Sequence, residues 1–117
     1  MIDKTMVAEL ELTLTGSRVF SNAMKITSDW DYFGIYTVKS VAALITHGFV
    51  PQDYHACYSM ACVRLVNIQM KNDVFLFVTQ EAYDRYKKVH EICERLKLRD
   101  MIPDKPQFRE IFDAMIR

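Results

Sequence analysis

Residues 14–34, LTGSRVFSNAMKITSDWDYFG, decide how the rest of the chain is read. Gly16-Ser17 closes a run of alternating leucines, eleven residues intervene, and Asp29-x-Asp31 opens the next segment. A glycine at a strand end lets the backbone approach an anion closely, because no Cβ stands in the way. Ser17 offers a hydroxyl and a backbone N–H at a helix start, where the partial positive charge favours negative groups. Two aspartates at i and i+2 on a strand project to one face. Neighbouring carboxylates repel unless a cation sits between them, and such oxygen ligands suit Mg²⁺ (or Mn²⁺) on a triphosphate. Alone, Gly-Ser is an ordinary turn and Asp-x-Asp a solvated strand face. Together, in strand–turn–helix–strand order, they mark a site, with Trp30 and Tyr32 anchoring the carboxylate strand from its other side.

Working outward, residues 7–15 alternate with Leu10, Leu12 and Leu14 on one side, which predicts a half-buried strand. Residues 17–25 have room for one or two helical turns capped by Ser17, and the aromatic run 28–36 reads as a second strand. Val38, Val41, Ala42 and Ile45 share a helical face that Gly48 terminates. Residues 49–60 contain Pro51 and no clean period, and read as loop. Residues 61–70 alternate as a third strand. From Val74 to Leu96, apolar residues recur at helical spacing, although residues 74–78, VFLFV, suit a fourth strand equally well. Pro103 and Pro106 precede a short amphipathic helix built on Phe108, Ile111, Phe112 and Met115. The expected fold is α+β (α/β): one domain over 1–117, a small mixed sheet flanked by helices, with C-terminal helices.

Composition narrows the function. Fifteen basic and fifteen acidic residues give a net charge of zero, without the excess that non-specific nucleic-acid or membrane-surface binding draws on. Half the residues are apolar, which excludes a disordered tail. No signal-peptide pattern and no spanning apolar run occur, and Cys57, Cys62 and Cys93 have no framework spacing. These features point to a cytoplasmic location and away from membranes. His55, Cys57 and Cys62 cluster without zinc-ligand spacing, so buried thiols account for them better. Glu81–Arg85, Asp84–Lys88 and Glu91–Arg95 fall at i,i+4 on the wet face of a helix.

Gly16-Ser17 followed by Asp29-Trp30-Asp31-Tyr32 resembles the signature of the DNA-polymerase-β-type nucleotidyltransferase superfamily. The SDWDYF wording is closest to its small standalone members, many of them phage-encoded. The likeness is strongest over residues 10–36. It implies a minimal nucleotidyltransferase fold, with Gly16, Ser17 and Arg18 on the phosphates of a nucleoside triphosphate and Asp29 and Asp31 as Mg²⁺ (or Mn²⁺) ligands and catalytic residues. It further implies transfer of a nucleoside monophosphate to a protein or RNA hydroxyl, in the host cytoplasm if the chain is phage-encoded. A third carboxylate belongs on a later strand, where Val66-Asn67-Ile68-Gln69 places Asn67, an amide unable to act as a general base. Asp73 lies beyond that run and reads as a poor substitute. Asn67 motivates the alternative, a catalytically degenerate protein of this fold that binds or regulates a protein partner such as a phage host factor.

Overall fold

The computed structural model describes residues 2–23, 29–52, 55–57 (backbone) and 60–117. The chain opens with helix α1 (Lys4–Glu9), whose start is capped by the Asp3 carboxylate accepting from the Thr5 N–H at 2.7 Å. This corrects the expectation of a strand from residue 7. Ile2, Met6 and Leu10 fall four apart and all three are buried, so helical spacing buries more apolar surface here than the alternating leucines would. Strand β1 is confined to Thr13–Thr15.

Gly16 then turns the chain into the short helix α2 (Ser17–Phe20), and β2 (Trp30–Ile35) follows. Helix α3 (Val38–Thr46) begins at a Thr37 cap and ends at Gly48, whose φ of +88° suits glycine. The expected loop over 49–60 contains two short strands, β3 (Val50–Pro51) and β4 (His55–Cys57), both added to β5 (Met60–Asn67). The side chains of His55 and Cys57 lie outside the described residues, as does the part of the expected second helical turn over 24–25. Residues 74–77 belong to a strand, β6 (Asn72–Phe77). Helix α4 (Gln80–Leu96) starts only after it, at a Thr79 cap, and α5 (Leu98–Met101) and α6 (Lys105–Ile116) complete the chain.

The strands form one mixed sheet in the order β1-β2-β6-β5-β3, with β4 pairing a second stretch of β5. β2 and β6 run parallel; the other pairs are antiparallel. Alternation along the strands divides the core in two. On one face Phe33, Cys62 and Phe77 pack with Phe20, Tyr86, Val89, Cys93, Phe108 and Phe112 from α2, α4 and α6. On the other, Tyr32, Leu65, Val74 and Leu76 pack with Met6, Leu10, Leu44 and Phe49. The protein is therefore a mixed α+β fold, a sheet between helical layers. No helix among the described residues is long and apolar enough to cross a membrane.

Candidate functional site

The helices covering the first face leave one end of the sheet to polar residues. Strand register places a single row of side chains there: Thr15 pairs with Asp31, Asp31 with Asp73, Asp73 with Val66, and Val66 with Val50. Asp31 and Asp73 thus stand side by side at the starts of two parallel strands. Arg64 occupies the neighbouring row opposite Phe75. Its Nη2 donates to Asp73 Oδ2 at 2.9 Å, and its guanidinium lies 5.8 Å from the Phe75 ring centroid.

Gly16 closes over this row. Its φ of +79° and ψ of −162° belong to a region open essentially to glycine alone. A Cβ there would run into Asp31 Oδ2 and lie 3.2 Å from the aspartate's Cβ and Cγ. The turn is pinned from behind by a buried network in which Thr15 Oγ1 lies 2.9 Å from both Tyr86 OH and His90 Nδ1. Burial holds the His90 imidazole below its usual range, against the opposing pull of Glu94 and Glu91. The neutral ring thus shares a hydrogen bond with Thr15 through Nδ1, and its Nε2 lies 3.6 Å from Glu94 Oε2. Beyond α2, Lys97 Nζ donates to the Val19 carbonyl at 2.9 Å, and Asp100 accepts from the Ser21 hydroxyl and, at 2.9 Å, from the Asn22 N–H.

Electrostatics set the character of the pair. Burial, then the negative charges of Asp73 and Asp29, raise the Asp31 carboxyl to about 7, while Lys105 and Arg64 pull the other way. Near neutrality Asp31 is therefore protonated in a large fraction of molecules.

The structure brings together some of the residues singled out by the sequence and separates others. Gly16 and Asp31 meet. Ser17, expected as the cap of α2, is instead its first residue and is exposed: Gly16 holds the cap position, and no side chain caps this helix. Arg18 is committed to the fold, its guanidinium 3.8 Å from the Trp30 ring centroid and its Nε donating to the Asp29 carbonyl at 3.3 Å. Asp29 precedes the first residue of β2, so the pleat does not dictate where its carboxylate projects. Asn67 is paired with Asn72, one position out of the carboxylate row and hence on the opposite face of the sheet. Its amide is spent on the turn that follows: Oδ1 accepts from the Met70 N–H at 3.1 Å, and Nδ2 donates to the Met70 sulfur at 3.4 Å. The residues missed as site members are Asp73, as the carboxylate beside Asp31, and Arg64. Extending the apolar run 74–78 back by one residue as a strand is the signal that leads to Asp73.

The expected metal centre is not formed. Among the described residues no group of three or more His, Cys, Asp or Glu side chains is arranged to hold a metal ion. This overturns the expectation of a Mg²⁺ (or Mn²⁺) cofactor, and with it the Mg²⁺-dependent nucleotide transfer built on that cofactor. The physical reason is local: Arg64 already supplies the positive charge at Asp73, and the burial that raises Asp31 favours its neutral form, a poor ligand. Comparison of the chain with protein-family models, curated proteins and solved structures finds no match.

Proposed function

We propose that this chain is a catalytically degenerate protein of the nucleotidyltransferase type that acts by binding a protein partner, a host factor if the chain is phage-encoded. The observation that carries this reading is the Arg64–Asp73 ion pair beside Asp31. Phosphoryl-type chemistry depends on electrostatic positioning of the transferred group by bound cations. Here a guanidinium fixed to the sheet takes up the charge of one carboxylate, and burial favours the neutral form of the other. The resemblance in type rests on the Gly16-Ser17 turn and its approach to Asp31. With its charges compensated internally, the site keeps the frame of the turn and the two strands, and the function passes to its surfaces.

Incubation of the intact protein with labelled nucleoside triphosphates, Mg²⁺ or Mn²⁺, and protein or RNA acceptors tests this directly. The expected outcome is neither label transfer nor pyrophosphate release. Metal-dependent transfer that disappears in Asp31→Asn overturns the proposal. Partners captured by crosslinking in cells are expected to be retained by Asp31→Asn at wild-type level, and their loss counts against a role independent of the carboxylate.

A further inference from the structure

The buried network behind the Gly16 turn ties helix α4 to a weakly held part of the fold. Thr15 and His90 are 2% and 3% exposed, and the Thr15 hydroxyl is the one group that reaches both His90 Nδ1 and Tyr86 OH. Thr15 ends β1, an edge strand of three residues, and Gly16 leads straight into the four residues of α2. Short elements at an edge open at a smaller free-energy cost than the 17-residue α4 or the central strand β6. His90 therefore holds, through one hydroxyl, a segment poised to open locally.

The surroundings of the ring suit its neutral form. Phe20 of α2 and Phe33 of β2 face it with ring centroids at 5.4 and 5.0 Å, and β1 faces it with Thr15. The charged groups that act on it, Glu94 and Glu91, sit on α4 itself, as does Tyr86. Glu94 Oε2 lies 3.6 Å from Nε2 on a side chain half in water, which screens its charge. A proton on the ring puts an N–H on both nitrogens and a full charge among aromatic rings. Thr15 Oγ1 can still accept from Nδ1, so hydration of the charge, rather than hydrogen bonding, decides the outcome. Burial outweighs the attraction of the two glutamates and holds the ring below its usual range.

We propose that His90 is a proton-operated latch on the Gly16 turn: when the ring takes up a proton, β1 and α2 loosen from α4 and uncover Asp31. The open form lets water reach the imidazolium, so its ring titrates near the ordinary 6.5, above the ring of the closed form. Opening thus increases as pH falls below about 6.5 and levels off once the closed form is also protonated. Asp31 acts with the opposite sign, because the closed form holds its proton more tightly. The latch requires neither nucleotide nor partner, so the two proposals fail separately.

Amide hydrogen exchange of the full chain carrying Asp31→Asn, which removes the opposing carboxyl, tests the latch. Protection is compared at about pH 7.5 and about pH 5 after correction for the intrinsic rate. The Val19 and Phe20 N–H groups, which donate to the Gly16 carbonyl at 2.9 and 3.0 Å, report the turn, and β6 reports the core. Asp100, whose carboxyl is held below the usual range by the Ser21 and Asn22 hydrogen bonds, keeps its grip on the end of α2 across this range. The turn amides are expected to lose protection at least about threefold at the lower pH while β6 keeps its own. Adding His90→Gln is expected to abolish the response. By NMR titration of Asp31→Asn alone, the His90 ring and the turn amides are expected to share one midpoint below 6.5. Turn protection that is flat with pH overturns the proposal. So does a loss that survives His90→Gln, a loss shared equally by β6, or a turn midpoint that differs from that of the ring.

Discussion

Replacing Asp31 by Asn should make the protein more stable above neutral pH, and the pH profile should identify the cause. The folded state raises the Asp31 carboxyl from 3.8 to about 7, so it holds this proton more tightly than the unfolded chain does. Stability linked to that proton is fully present below the unfolded value, falls as pH rises through about 7, and is absent above it. A difference of about three pKa units at 1.36 kcal/mol each gives a ceiling of about 4 kcal/mol. That is a large share of the 5–15 kcal/mol that holds an ordinary domain together, a typical range of roughly 0.1 kcal/mol per residue. Asn keeps nearly the same shape and cannot ionise. The assay is urea denaturation followed by circular dichroism, at about pH 4.5, 6 and 8, for wild type and Asp31→Asn. Subtracting one profile from the other removes the other titrating groups. The variant should gain at least about 2 kcal/mol on the wild type between the lowest and highest pH, half the ceiling. A difference profile flat to within about 0.5 kcal/mol would refute the buried carboxylate pair as the origin of the shift.

Gly16→Ala should cost at least about 2 kcal/mol, from a backbone conformation closed to alanine and from the approach of Asp31. Gly48→Ala, also at positive φ but with its nearest neighbour, Asn67 Nδ2, at 3.5 Å, should cost only about 1 kcal/mol by the same denaturation measurement. Thr15→Val should cost about 1–3 kcal/mol at pH 8, because it leaves His90 Nδ1 and Tyr86 OH without their shared partner. His90 is held below its ordinary value of 6.5, so the wild type should lose stability as pH falls below that value. Burial is the cause and Thr15→Val leaves it in place, so the variant should keep that pH-dependent loss.

Much of the architecture was legible because its causes are local. Apolar residues three and four apart mark α3 and α6 as helices. On α3, however, the expected face is not the packed one: Val38, Ala42 and Ile45 are exposed, and Ser40 and Leu44 are buried. Glu81 and Arg85, four apart on α4, do form an ion pair at 2.9 Å. Gly16 and Asp31 were each singled out by the sequence, and the β1–β2 register, with Thr15 opposite Asp31, is what brings them together. Residues 4–9 and 74–77 were not settled this way. Each run satisfies two periods, and only the partners decide: Met6 and Leu10 find a core against Leu44 and Phe49, and 74–77 find strands on both sides.

The sequence by itself thus determined a glycine turn, an acidic strand and a set of helical stretches, all consequences of residues near one another in the chain. Tertiary structure alone decided what the acidic strand faces. Cross-strand register is a long-range property: one residue of difference sends Asn67 to the opposite face and brings Asp73, with Arg64 attached, beside Asp31. A carboxylate next to a guanidinium and under a buried turn is a different chemical group from one facing water.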